Sequence, residues 1–347
     1  MFDIAVIGAG LAGLVCASRL QQAGYSVIVV EKSRGVGGRV ATRRLFNTRV
    51  DHGLPYLEIQ GNFTTEFGEI WLKENILQLE SENIYELLPN RQLQPKDRKK
   101  RYFAPEGMTK IAKSLATNLQ IYRQARVTAI APHNQNTWQL TLAATPEIPA
   151  NLMAKTLILA IPAPQALTLV ETLPRSELPT EFLNNLRAVK FNSCLSAIAG
   201  YPAAYQQQIE QRNPAWETIK VSQDDYLDRI FLDSSKRNLA SQPVFVFQSS
   251  PEFAEKYLDT DDLQPAATTL LNHAAEIFLP WLKHPEWVQI HRWRYAIPAT
   301  PLSLPYLFAA QPLPLICCGD WCGGNTVENA LNSGIAAATA VKDLLTS

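Results

Sequence analysis

The chain is short of cysteine, and its five (Cys16, Cys194, Cys317, Cys318 and Cys322) are odd in number and show no C-x-x-C spacing. That argues against a disulfide framework and against a zinc site, so no metal is expected and the compartment reads as reducing and cytoplasmic. Net charge is also missing, because 32 basic residues balance 32 acidic ones. A nucleic-acid-binding surface is therefore not expected. The basic run Lys96, Arg98, Lys99, Lys100 and Arg101 lies beside Pro95 and reads as a solvated turn. No stretch reaches the roughly 18 apolar residues of a membrane span. The first sixteen residues are apolar but lack a basic leader region, and they read as a strand and turn rather than a signal peptide. No internal repeat or low-complexity tract is present.

What remains is an ordinary globular composition of 347 residues, 46% apolar and 18% charged, enough for about two domains. An apolar run at 2–7, a helical pattern at 11–23 and a Val/Ile-rich run ending at Glu31 form a β-α-β unit. A helix is predicted over 65–79, short strands over 84–104, a helix over 108–119 and strands near 119–130, 137–143 and 155–160. Strands at 188–200, 217–221, 228–233, 243–249 and 287–294 then alternate with a helix at about 261–279. The five prolines of 298–314 suggest an irregular connector before a buried strand, "LICCGD". The fold class is α/β (α+β overall), a nucleotide domain from 1–60, 106–165 and 311–347 with a mixed-sheet substrate domain from 61–105 and 166–310.

Gly8, Gly10 and Gly13 form G-x-G-x-x-G between the first strand and helix. The first permits the tight turn, the second admits a pyrophosphate, and the third lets helix and strand pack closely. The N–H groups of the helix start, at Leu11 and Ala12, favour the phosphates. Glu31, beside Lys32, ends the second strand, where a carboxylate accepts from ribose hydroxyls and repels a 2′-phosphate. NADP is thereby disfavoured in this cradle.

"GVGGRVATRR" at 35–44, with Gly38 and Arg39, resembles the second fingerprint of flavin-containing amine oxidases, in which the arginine neutralises the FAD pyrophosphate. "RVDHGLPYL" resembles the stretch beside the flavin ring and points to Gly53 and Leu54; Val127 matches a main-chain contact at the adenine end. "YFAPEGMTKIAKSLA", "LAIPAPQAL", "FLDSSKRNL", "HRWRYA" and "CCGDWCGG" are similar to renalase-like members of that superfamily. By that resemblance Gly319 and Asp320 meet the ribityl and pyrophosphate region of FAD, while Val327, Glu328 and Ala330 sit under the flavin ring. Two departures stand out. The strand ending "SAIAGYPA" lacks the lysine of monoamine and polyamine oxidases, and Gln248 stands where relatives often have histidine.

The resemblance implies an FAD-dependent oxidase that takes hydride from an isomeric dihydronicotinamide and passes it to oxygen as hydrogen peroxide. The alternatives are a flavin amine oxidase or desaturase-like enzyme, and a non-catalytic FAD-binding redox sensor. His291, Trp293 and Tyr295 alternate on one predicted strand and, with Trp321 and Gln248, are the candidate substrate-facing groups. The other reading makes Trp293 and Tyr295 core residues and His291 a satisfied edge group. Arg292 and Arg294 are structural or phosphate-facing, and Lys236 and Arg237 are phosphate ligands or a solvated turn. Cys322 reads as a buried thiol, so FAD is expected to be held non-covalently.

Overall fold

The computed structural model describes residues 1–46, 48–79, 83–96, 100–134, 136–143, 148–173, 178–237 and 242–346. Arg98 and Lys99 of the basic run, and the end of "FLDSSKRNL", lie outside them. Five apolar runs form adjacent parallel strands in the order Gln120–Tyr122, Val27–Val30, Phe2–Ile7, Asn151–Leu159 and Leu315–Cys317. Val27–Val30 and Leu315–Cys317 are buried throughout and read as unbroken hydrophobic runs because both faces are covered. Ile4, Val6, Val27, Val29, Ile158 and Ile316 face a core built with helices Leu11–Gln22, Thr109–Leu115 and Val327–Thr346. Their neighbours Ala5, Ile7, Ile28, Val30, Leu157 and Leu159 face the opposite core, under helices Ala163–Val170 and Thr180–Ala188. Strands Val127–Asn134, Thr137–Leu142 and Leu307–Ala309 extend the sheet antiparallel.

A second, seven-stranded sheet runs Trp287–Thr300, Lys190–Gly200, Val244–Ser249, Leu227–Leu232, Thr218–Val221, Ile84–Leu87 and Leu93–Pro95. All its pairings are antiparallel except that of Thr218–Val221 with Ile84–Leu87. Helix Gln264–Ile277 covers one face, through Leu270, Leu271 and Ala274. Against Ile198, Val244 and Val246 on the other face packs a hairpin, Thr42–Leu45 with Thr48–Asp51, through Leu45 and Val50. That hairpin follows directly on Gly37-Gly38-Arg39, so the glycine-rich cradle leads straight to the seam between the two sheets.

The two cores divide at other residues than the expected boundaries. Helix Asn62–Lys73 buries Phe67 and Trp71 in the first core, so most of 61–79 covers the nucleotide sheet. This helix ends at Lys73 because Asn75 adopts φ +56°, and Gln78–Leu79 pairs as a strand instead. Leu169, Phe182 and Leu186 likewise belong to the nucleotide side, and Leu307–Ala309 interrupts the expected connector by pairing with Leu315–Cys317.

The first and last helices touch through Gly334, where a Cβ would lie 2.3 Å from the Ala12 carbonyl oxygen. A methyl there must push the helices apart. Gly334→Ala, a change that favours an isolated helix, is expected instead to cost about 1–3 kcal/mol. Urea unfolding measures it, and a stabilised variant would contradict the close approach.

Candidate active site

Gly8 takes φ +107°, and a Cβ there would meet the Ala160 carbonyl oxygen at 2.4 Å. At Gly13 it would strike the Gly8 carbonyl oxygen at 2.1 Å, whereas at Gly10 it meets nothing within 4 Å. Helix Leu11–Gln22 has Gly10 as N-cap and no side-chain cap, so its first N–H groups are open to a ligand. The second glycine motif closes onto the first: Gly37 N–H donates to Ala9 O at 2.8 Å. Buried Glu31 accepts from Ala9 N–H at 2.9 Å and from Ser33 N–H at 2.7 Å. Each oxygen keeps lone pairs for a ribose hydroxyl. Leu11 and Ala12 are buried, Lys32 is exposed with Nζ 3.4 Å from Gln165 Oε1, and buried Val127 opens its strand. These residues fit the adenosine-diphosphate half of FAD.

The far end of the chain closes the same cradle. Arg39 donates two parallel hydrogen bonds to Asp320, at 2.6 and 2.7 Å, and a third to Ala296 O at 3.2 Å. Asp320 is buried, and Gly319 N–H is held by Ser333 Oγ at 3.0 Å. A bidentate pair of this kind fixes direction as well as distance.

Other terminal-motif residues sit differently from expectation. Trp321 is 1% exposed and donates Nε1–H to Ile161 O at 3.1 Å, so it is a core support rather than a substrate-facing ring. Glu328 does not turn toward a ring site. It accepts from Phe63 and Thr64 N–H, at 3.1 and 2.7 Å, at the positive end of helix Asn62–Lys73. Helix Val327–Thr346 is capped by Thr326 and Asn329, whose Nδ2 also donates to Gly323 O. Asn329 thus locks the preceding loop, leaving Val327 and Glu328 as the first-turn N–H groups, with Ala330 half-buried. Buried Cys322 has its thiol pKa pushed well up by burial, which suits a non-reactive group.

At the seam, three buried charges, Asp51, Asp233 and Lys236, meet the half-buried Arg237. Asp51 accepts from Thr42 Oγ1–H, Met108 N–H and Arg237 Nη2–H at 2.6, 2.8 and 2.9 Å. Asp233 accepts from Asp51 N–H at 3.2 Å and Lys236 Nζ at 2.9 Å, and Lys236 also donates to Pro55 O at 2.7 Å. Lys236 and Arg237 are therefore neither phosphate ligands nor a solvated turn. They neutralise two buried carboxylates.

The segment His52–Leu54 is strung between Asp51 and Pro55, and a wall of side chains stands over it. Gln248 donates to Gly53 O at 2.8 Å, and Trp293 Nε1–H donates to His52 O at 3.1 Å. A Cβ on Gly53 would come within 2.1 Å of Arg39 O and 3.2 Å of the Trp293 ring. His52 stacks on Trp293 at 5.2 Å between centroids, and His291 packs edge-on against both rings, at 4.3 and 4.9 Å. Arg43 donates to His291 Nδ1 at 2.9 Å and Gln289 Oε1 at 3.1 Å, so the His291 proton resides on Nε2.

Tyr295 is not part of this wall. Cys194 pairs with Trp293 but Asn192 with Ile297, so the strand bulges between them and turns Tyr295 onto Phe191, 5.7 Å away. Arg292 donates to the carbonyls of Tyr257 and Thr260, and Arg294 to Leu258 O and Asp259, which makes both arginines structural. Arg43, His52 and Gln289 escape a reading by motif. Alternation from His291 and Trp293 points to Gln289, and the Asp51-His52-Gly53 sequence points to His52.

Burial, the neighbouring His291 and Arg43 lower the His52 pKa to about 3; burial followed by Arg43 lowers that of His291 to about 4. Both imidazoles are neutral at physiological pH. Between pH 6.5 and about 4 the unfolded chain binds more protons at these positions than the folded one. Stability is thus complete above pH 6.5 and falls as pH drops through that window. Thermal melting of His52→Asn across pH 7 to 4.5 is expected to show a shallower loss than wild type.

Comparison with known proteins follows this geometry. A family described as NAD(P)-binding Rossmann-like domain matches residues 6–66, and one described as flavin containing amine oxidoreductase matches residues 86–342. An FAD-dependent oxidoreductase, oblC, of Cochliobolus heterostrophus (strain C5 / ATCC 48332 / race O) is 58% identical over 40 residues, 12% of this chain and only 8% of that protein's length. Putrescine oxidase bound to putrescine superposes with TM-score 0.69 at 13% identity, covering 100% of this chain and 99% of that one. Cyclohexylamine oxidase from Brevibacterium oxydans IH-35A gives 0.70 at 13% identity over 100% of both chains. At that identity the solved structures testify to a shared fold. The family match covers most of the sequence and agrees with the double glycine cradle: the chain belongs to the flavin containing amine oxidoreductases, and its cofactor is FAD.

Proposed function

We propose that this oxidoreductase takes a hydride from a dihydronicotinamide, an isomeric, mis-reduced form of NAD(P)H, with dioxygen as final acceptor. The supporting observation is the wall over Gly53: Trp293, neutral His52, neutral His291 and Gln248, bordered by the Arg43 guanidinium. Among the described residues, no lysine or carboxylate hydrogen-bonds to these rings, and Asp51, beside His52, is held by Thr42, Met108 and Arg237. Bound FAD supplies the two-electron chemistry, accepting hydride from the donor and delivering two electrons to dioxygen, which leaves with two protons as hydrogen peroxide.

Gly8, Gly10, Gly13, Glu31, Arg39 and Asp320 hold the cofactor in this reading, and Gly53 and Leu54 run beside its ring. Trp293 offers a flat apolar surface to a planar donor, and His291 offers its Nε2–H to the donor's carboxamide oxygen. A dihydronicotinamide that loses hydride becomes an aromatic cation and gives up no heteroatom proton. A wall of neutral rings, whose two imidazoles are weak bases, suits it. An alkylammonium substrate would instead meet Arg43 and find no carboxylate. The likeness to putrescine and cyclohexylamine oxidases favours a second reading, oxidation of an uncharged amine.

Anaerobic rapid mixing separates the two. Borohydride-reduced NAD, which contains the isomeric forms, is expected to bleach the oxidised-flavin band, and putrescine and cyclohexylamine are not. Bleaching by an amine and not by the dihydronicotinamides would replace this assignment with the second. Trp293→Ala is expected to slow the productive reduction roughly tenfold through lost ring contact, with Trp293→Phe retaining most of it.

A further inference from the structure

We infer that Arg43 is the recognition site for an anionic, phosphoryl-bearing part of the substrate, at the edge of the wall formed by His52, His291 and Trp293. Arg43 is half-buried, and the two side chains it hydrogen-bonds, through Gln289 Oε1 and His291 Nδ1, are both neutral acceptors. No carboxylate among the described residues lies within ion-pair distance of it. Other cations of the seam are neutralised: Arg39 by Asp320, and Lys236 and Arg237 by Asp51 and Asp233. A guanidinium partly withdrawn from water with no counter-ion is costly unless a ligand brings the negative charge.

Two of its five N–H donors are engaged with the neighbouring strand, which holds the planar group in one orientation and leaves a fork free for phosphoryl oxygens. Its field bears on the whole wall, since Arg43 also contributes to keeping both histidines uncharged. The position suits a nucleotide. The His291 and Trp293 rings meet at 4.3 Å between centroids and Arg43 bonds His291 Nδ1, so one imidazole separates the guanidinium from the Trp293 ring, and a ribose links a nicotinamide at Trp293 to a phosphate at Arg43. The donor in this view is a nicotinamide nucleotide, and the ribosyl compound without phosphate is the poorer substrate. The identity of the ring rests on the function proposed above; the anion site does not.

The test uses FAD-loaded protein and adenosine diphosphate as probe, followed by calorimetry. Wild type is expected to bind it saturably, and Arg43→Gln to bind roughly tenfold more weakly or worse. Arg43→Lys, with charge but no fork, is expected to fall between the two. Arg44→Gln, one residue on and exposed, is expected to stay within about twofold of wild type. Flavin occupancy and melting temperature of each variant report whether it is folded. In turnover, Arg43→Gln is expected to raise KM for the dinucleotide donor by a larger factor than that for dihydronicotinamide riboside, which feels only the loss of the Arg43–His291 bond. Equal affinity of wild type and Arg43→Gln for adenosine diphosphate, or no saturable binding to wild type, overturns the assignment. Arg43-dependent binding without flavin reduction by any dihydronicotinamide would retain the anion site and discard the donor.

Discussion

The arrangement of the site depends on the group of four charges formed by Asp51, Asp233, Lys236 and Arg237. Two acids are matched by two bases, and Thr42 and Met108 add hydrogen bonds to Asp51. Its members come from two places, the end of the hairpin that follows the second glycine motif and the turn after strand Leu227–Leu232, and the loop before helix Thr109–Leu115 adds the Met108 N–H. Because Asp51 and Pro55 are both gripped, the backbone of His52, Gly53 and Leu54 between them is set by the protein itself. The surface offered to a flavin is thus preorganised, and so is the wall above it, since Gln248 and Trp293 hydrogen-bond to that same backbone.

Electrostatics divide the site into two halves of different character. The cradle half pairs its charges: Glu31 is satisfied by backbone amides and Arg39 by Asp320. On the wall half, burial first, then Arg43 and, at His291, Arg292, keep two imidazoles neutral. Fold likeness to amine oxidases at 13% identity carries over the scaffold and leaves the substrate to this second half.

Local chemistry was readable from the residues alone. Apolar runs marked the parallel strands, and the glycines of 8–13 and 37–38 marked the cradle, because each of those signals lies within about twenty consecutive residues. The wall was only half legible. Strand alternation joined His291 to Trp293, but a bulge that depends on pairing with Asn192 and Cys194 removed Tyr295 from it. His52 and Arg43 meet His291 across some 240 positions of sequence, and nothing local announces that contact. Lys236 and Arg237 looked like surface cations for the same reason: their partner Asp51 lies 185 and 186 positions away. Trp321 was misplaced because a tryptophan beside Gly-Asp reads as exposed until Ile161 O is seen to take its N–H.

The Arg39–Asp320 pair spans 281 residues of chain, and the central strands lie side by side although Phe2 and its partner Ala154 are 152 positions apart and Leu157 and its partner Leu315 are 158 apart. Such a topology makes folding slow, since long loops must close before the neighbouring strands reward them. During synthesis the glycine cradle emerges early with one wall missing, and its apolar sheet edge beside Asn151–Leu159 stays unpaired until residues 315–317 arrive. Closure of the cradle therefore waits for strand Leu315–Cys317 and the Asp320 that follows it.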